Sequence, residues 1–304
     1  MELFLPIAEM SVPWLLLIGL GFAIGFLSGM FGIGGGFLLT PALMFCGIPP
    51  SVAVATGTCQ LIGVSVSGLL ANAERRTVDY QLGGVMVAGG ALGSLLGVGL
   101  FGWLQRLGQI ETAISLSYVV LLGSVGILML AESWRTLRGN GEAPADKRRA
   151  GQHRWIDRLP FKQRFHQSKL YTSILPPAFL GMVIGLLSAS LGVGGGFLLV
   201  PAMIYLLRVP TAVAIGTSMF QILFTSAFST VFQAAGNYSV DIVLAILLIL
   251  GGVAGAQYGV RFGAKLRGVQ LRFLLALLIL AMAVKLAFDL VVTPVDLFHV
   301  QVVP

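Results

Sequence analysis

The chain has 304 residues, 57% of them hydrophobic and 10% charged, with a mean hydropathy of +0.93. A soluble domain needs about 25% charged residues to cover its surface, so this composition excludes a water-soluble enzyme or binding module and requires lipid around most of the chain. The formal net charge of +7 raises the question of a nucleic-acid partner, which the placement of the charges answers below.

The N-terminal stretch MELFLPIAEMSVP has no basic n-region, and the apolar run after it is long enough to span. A cleavable signal is therefore not expected. Apolar runs then fall at about 12–31, 34–47, 51–71, 82–104 and 110–131, and resume at about 173–191, 194–207, 211–233, 240–260 and 270–292. Most approach the roughly 20 residues a helix needs to cross a bilayer. Two are too short, 34–47 and 194–207, and both begin with a glycine cluster. Cys46 and Cys59 lie in apolar sequence and suggest neither a disulfide framework nor a metal site.

The two short runs repeat one another. FGIGGGFLLTPAL (31–43) and LGVGGGFLLVPAM (191–203) share nine of thirteen positions. The likeness spreads on both sides. Gly21, Gly25 and Ser28 recur as Gly181, Gly185 and Ser188; Ala53-Val54-Ala55 and Gly57-Thr58 as Ala212-Val213-Ala214 and Gly216-Thr217. Val78-Asp79 recurs as Val240-Asp241, and the glycines from Gly89 to Gly97 as those from Gly251 to Gly259, the offset drifting from 159 to 162. The sequence thus predicts an all-α polytopic membrane protein of about ten transmembrane helices, built by duplication of a five-helix unit. The first repeat covers 12–131, a basic linker 132–172, the second repeat 173–292 and a C-terminal tail 293–304.

Charge sets the expected orientation. The linker carries ten Lys and Arg and is placed in the cytoplasm, with both termini outside. Seventeen of the nineteen basic residues then fall inside, the exceptions being Arg106 and Lys285. The basic residues therefore read as a topology signal, and no nucleic-acid partner is expected. Treating the short glycine-led segments as re-entrant would instead put Arg261, Lys265, Arg267 and Arg272 outside. An odd number of helices per half makes the repeats inverted, the architecture of transporters with a site near the midplane.

The clusters GIGGGF and GVGGGF are not dinucleotide fingerprints, because the sixth position is Phe37 or Phe197, and they lack the Gly-Lys-Ser/Thr of a P-loop. Two readings stay open. The glycines either permit a tight turn between packed helices, or they uncover backbone N–H groups at a half-helix start and so make an anion site without formal charge. A second lining comes from Thr56, Thr58, Gln60 and Ser65 in the first half and from Thr217, Ser218, Gln221 and Thr225 in the second. Gln60 and Gln221 do not align in the repeat, but a buried amide needs partners. Ionisable residues are few. Glu74, Asp79 and Asp241 lie at span ends and read as interfacial, Glu111 opens a helix, and Lys285 and Asp289, four apart, pair or snorkel. His153, His166 and His299 fall in the linker or tail, so no buried histidine relay is expected. Neither HExxH, GxSxG nor CxxC occurs, so no enzyme chemistry, cofactor or metal is expected.

The duplicated GxGGGFLLxPA segment, the A-V-A-x-G-T run and the Val-Asp before the fourth span together resemble the TauE/SafE family of membrane permeases, from residue 13 to 292 apart from the linker. The resemblance implies a transporter of the bacterial inner membrane that moves sulfite, sulfonates such as taurine or sulfoacetate, and related anions, often outward. It places the small anionic substrate near Gly34, Gly35, Gly36, Thr58, Gln60, Gly194, Gly195, Gly196, Thr217, Ser218 and Gln221. The rival readings are an anion channel, which needs a continuous polar stripe, and a non-transport assembly factor working through its helices and basic linker. The glycine-rich faces pack either within one subunit or across a homodimer.

Overall fold

The computed structural model describes residues 2–31, 34–137, 162–165, 167–168, 170–263 and 268–291. Its elements follow the duplication. In the first half a hairpin of β1 (Glu2–Leu5) and β2 (Met10–Pro13) precedes α1 (Trp14–Phe31), α2 (Gly36–Phe45), α3 (Pro50–Glu74), α4 (Tyr80–Arg106) and α5 (Ile110–Leu137). In the second, β3 (Lys162–Phe165) and β4 (Leu170–Ser173) precede α6 (Leu175–Leu191), α7 (Gly196–Tyr205), α8 (Thr211–Gly236), α9 (Ile242–Gly263) and α10 (Gly268–Val291). Both hairpins are antiparallel, closing on the pairs Leu5–Met10 and Phe165–Leu170.

The helices α3, α4, α5, α8, α9 and α10 are long and apolar enough to cross a membrane by length and composition. With 18 and 17 residues, α1 and α6 reach about 25–27 Å, and the 10 residues of α2 and of α7 reach about 15 Å, half of a hydrocarbon core. The short runs are thus helices too short to cross it. The central position belongs to α3 and α8, with 61% and 56% of their most apolar stretches buried, against 22% for α5 and 28% for α10. Those two outer helices pack on each other. Ile110, Ile114, Tyr118 and Leu122 share one face of α5, at four-residue spacing, and lie in the same buried apolar cluster as Leu275, Ile279, Ala283 and Leu286 of α10.

Each half completes its packing with the other. On α1, a Cβ at Gly21, Gly25 or Gly29 would strike the backbone of Leu248, Gly252 or Ala256 on α9, while Gly251, Gly255 and Gly259 stand in the same relation to Ile18, Phe22 and Phe26. Both numbers rise together, so the helices run parallel with their backbones in contact. The counterpart pair is α4 with α6: Gly89, Gly93 and Gly97 meet Ala178, Met182 and Leu186, and Gly181 and Gly185 meet Met86 and Gly90. Lipid is as apolar as leucine, so close backbone approach rather than hydrophobic burial drives such pairing. The glycine stripes therefore serve contacts within the subunit. At the centre, Thr58 meets Thr230 and Gly68 meets Met219, so the corresponding helices α3 and α8 run antiparallel.

Gly93→Ala puts a methyl group into the Met182 carbonyl and is expected to destabilise the protein by about 1–3 kcal/mol. Gly99, also on α4, has nothing within 4 Å of its would-be Cβ, and Gly99→Ala should leave stability unchanged or slightly raised. Thermal unfolding of both variants in one detergent checks the contrast; equal shifts would remove the backbone-contact account.

Candidate functional site

The half-helices begin at turns that only glycine accommodates without strain. Gly34 and Gly35 have φ of 80° and 59°, and Gly192, Gly194 and Gly195 of 68°, 69° and 71°, all in the left-handed region where a Cβ is penalised. Gly35 and Gly195 are the N-caps of α2 and α7, and neither helix has a side-chain cap. Each cap carbonyl accepts two amides, Leu38 and Leu39 in the first turn and Leu198 and Leu199 in the second. The dipole end of each half-helix therefore faces the protein interior uncovered by any side-chain acceptor.

The two turns meet. A Cβ on Gly36 would stand 2.9 Å from the carbonyl oxygens of Gly192 and Val193, and one on Gly192 would stand 2.7 Å from the Val54 oxygen. Phe37 and Phe197, the residues that rule out a dinucleotide fingerprint, meet with ring centroids 4.8 Å apart and planes tilted by 32°. Tyr118 of α5 is fully buried and its phenol donates to the Leu191 carbonyl at 2.5 Å, closing the end of α6 just before the second turn. Tyr118 lies outside every motif of the duplication.

The polar residues around the turns follow a register that the sequence match hid. The N-caps of α3 and α8 are Pro49 and Pro210, with nearly the same backbone angles, an offset of 161 rather than 159. Thr56 then corresponds to Thr217, Gln60 to Gln221 and Ser65 to Ser226. The contacts agree. The Asp241 amide donates to Thr56 Oγ1 and the Asp79 amide to Thr217 Oγ1. A Cβ on Gly252 would stand 2.6 Å from Gln60 Nε2, and one on Gly90 3.2 Å from Gln221 Nε2. The repeated A-x-G-T letters are displaced by two residues from true equivalence, and the two glutamines are structural counterparts.

Their hydrogen bonding differs. Gln60 Nε2 donates to the Leu248 carbonyl at 3.3 Å, whereas Gln221 is fully buried with both amide atoms unpartnered. Ser65 and Ser226, and likewise Ser28 and Ser188, are buried pairs of counterparts whose hydroxyls lack partners. Ser28 stands against the first glycine turn, its Oγ 3.0 Å from where a Gly35 Cβ would be. Buried polar groups are nearly always satisfied, and here the unpartnered serine hydroxyls recur at corresponding positions of both halves. The remaining expected residues are engaged elsewhere. Thr58 donates to the Ala55 carbonyl and meets Thr230, and Ser218 donates to Ile215 of its own helix. Of the expected glycines, Gly36 and Gly194 both lie against Leu61, and Gly34 lies against Ile222. Leu61 and Ile222 each stand one residue beyond a glutamine, while Gly35 lies against Ser28 and Gly195 against Ile184.

Two acidic residues expected at the interface are buried instead. Asp79 is 2% exposed and Asp241 1%. Asp79 Oδ1 accepts the Leu82 amide, capping α4, and Asp241 Oδ1 accepts those of Val243 and Leu244 at the start of α9. The other oxygen of each accepts from a hairpin turn: Asp79 Oδ2 from Ser168 N and Oγ at 2.9 and 2.6 Å, Asp241 Oδ2 from Ile7 N at 3.0 Å. An Asp one position before a helix is a capping signal, but the distant hairpin donors left no local trace. Lys285 also differs from expectation, its ammonium lying 3.9 Å over the Phe45 ring. Among the described residues no group of three or more His, Cys, Asp or Glu is arranged to hold a metal.

The family model described as sulfite exporter TauE/SafE matches residues 17–286. A probable membrane transporter protein of Xylella fastidiosa is 31% identical over 246 residues, 80% of this chain and 82% of its own length. One from Bacillus subtilis is 26% identical over 286 residues, 91% and 98% of the two chains, and one from the archaeon Methanocaldococcus jannaschii is 25% identical over 276, 86% and 90%. No solved structure gives a significant match.

Replacing Gln221 with Leu removes two unpartnered buried atoms at similar volume. The substitution should stabilise the ligand-free protein by about 1–3 kcal/mol. Gln60→Leu, which also breaks a hydrogen bond, should gain less. Melting temperatures of the two variants check the order, and a destabilised Gln221→Leu would show that the amide is satisfied after all.

Proposed function

The chain belongs to the sulfite exporter TauE/SafE family of multi-pass membrane transporters, and from that premise we propose that it is a secondary transporter of small sulfur-containing anions, sulfonates or sulfite, working outward across the bacterial inner membrane. The substrate anion binds where the two half-helices begin, near the midplane. There the positive ends of α2 and α7 supply about half an elementary charge each, and Gln221, Gln60, Ser28 and Ser188 supply neutral donors. Donors without fixed positive charge suit a delocalised oxyanion that must also leave again.

The observation that carries this reading is the fully buried, unpartnered Gln221 amide one residue before Ile222, whose side chain touches the first glycine turn. The antiparallel α3 and α8 support an inverted pair of five-helix repeats. Rocking one half-helix and its repeat against the other exposes the shared point to one side and then the other, as in alternating access. Residues 132–172 face the cytoplasm and both termini the outside, following the basic-residue count. An inside-negative potential then drives an anion outward by roughly 2.3 kcal/mol per charge per 100 mV, so export needs no coupled ion.

Purified protein in liposomes, challenged in turn with sulfoacetate, taurine, sulfite, sulfate and acetate, should pass a saturable current for a sulfur anion without a pH gradient. Labelled flux covers electroneutral exchange and zwitterionic taurine. Gln221→Leu should lower flux about tenfold or more, the effect of one lost polar contact to a charged group, while melting no earlier than wild type. Gly35→Leu, which forces a side chain onto Ser28 from a left-handed position, should abolish flux. Silence of the wild type in both assays removes the substrate reading, and normal flux in both variants removes the site.

A further inference from the structure

We propose that the N-terminal hairpin is a gate over one mouth of the transport path, latched by its turn onto the buried carboxylate of Asp241, and that Ser168 on Asp79 is the matching latch at the other mouth. The inference rests on the transport reading above. Asp241 is 1% exposed although it stands at a helix start in an inter-helix turn, where water would otherwise reach it. The hairpin keeps it covered: Leu5, Ala8 and Val12 are buried on its inner side, and the Ile7 amide at its tip donates to Asp241 Oδ2.

What lies beneath makes this a mouth. The Asp241 backbone amide donates to Thr56 Oγ1, and one turn further inward along α3 stands the buried Gln60, about 6 Å at helical rise. On the other side the Asp79 backbone amide donates to Thr217 Oγ1, followed one turn inward on α8 by the buried Gln221. Ser65, Gln221 and Ser226 have unpartnered polar atoms. Each aspartate thus heads a buried Thr and Gln one turn apart, and its carboxylate is covered by donors from the other half of the chain.

The latch is separable from the cap. Asp241 uses one oxygen for α9 and the other for the hairpin, so releasing the turn leaves the helix start intact and hands one oxygen to water. Both latches are made in this structure, so both ends of the path are closed, and opening either end requires breaking one latch. A static brace would have the same bonds but would never release.

Cysteine accessibility decides between them. Ser65→Cys or Ser226→Cys serves as a buried reporter in a Cys46→Ser/Cys59→Ser background, labelled with a membrane-impermeant maleimide from the outside of cells or from the exposed face of inverted vesicles. Asp241→Asn keeps one oxygen but sets an amide donor against another donor. It should speed labelling of Ser65→Cys from one face by about tenfold or more, as expected for a lost charge-assisted hydrogen bond. Asp79→Asn should do the same for Ser226→Cys from the opposite face. Ser168→Ala, which keeps the cap and the backbone donor, should act in the same direction more weakly, and serves where Asp79→Asn fails to insert. Unchanged rates, or equal increases from both faces, overturn the gate. The readout needs no substrate, so a protein silent in flux but gated in labelling would sink the substrate assignment alone.

Discussion

Everything at the centre of this protein follows from one constraint: a backbone that leaves helical geometry at membrane depth must be covered by protein. Two helices begin there. Their preceding carbonyls and amides have no water to turn to, and lipid offers no hydrogen bond. The chain meets the constraint by setting the two irregular stretches against each other, Gly36 on Gly192 and Val193, with the Phe37 ring against that of Phe197. Tyr118 finishes the task by donating to the Leu191 carbonyl. Glycine is required at these turns for two separate reasons, left-handed backbone angles and the absence of room for a Cβ. That double requirement is why the same cluster stands in both halves.

A second consequence concerns how the halves are joined. The closest backbone contacts, α1 with α9 and α4 with α6, all cross from one half to the other. So do both hairpin contacts to buried carboxylates. Neither half has a self-contained core in the usual sense of a domain, so any motion that exposes a central site must preserve these glycine-lined contacts while changing others. The contacts available to change are those of the half-helices and of α3 with α8, where the polar side chains gather.

Much of this was legible in the letters. Apolar runs marked every helix to within three residues except at the end of α5, which runs on to Leu137 past the expected 131. The runs too short to span became short helices, and the repeated glycine cluster located their starts. What stayed hidden depended on partners far away in the chain. Thr58 and Thr217 look equivalent because each follows Ala-x-Gly, yet geometry pairs Thr217 with Thr56, each the seventh residue of its helix and each receiving an aspartate amide. Asp79 and Asp241 looked interfacial because nothing nearby in sequence says that a strand pair will cover them. The hairpins are short, mixed in polarity and without an Asn-Gly turn, so they lacked the usual signal. Residues 138–161, the body of the basic linker, and the tail 293–304 lie outside the described residues.

The crossing of helices between halves also bears on how the protein is made. Gly21, Gly25 and Gly29 of α1 enter the bilayer first, but the backbone they pack against belongs to α9, more than two hundred residues later in synthesis. Until then α1 has no fitting partner and its glycine groove lies open to lipid. The same holds for α4, which waits for α6. The ribosome therefore delivers half a molecule whose most specific surfaces are all unpaired, and that half must persist inserted, without collapsing on itself, until its complement arrives. Contacts this distant in sequence are slow to form. The basic linker separates the two deliveries, so its length sets part of the interval over which the first five helices stand alone.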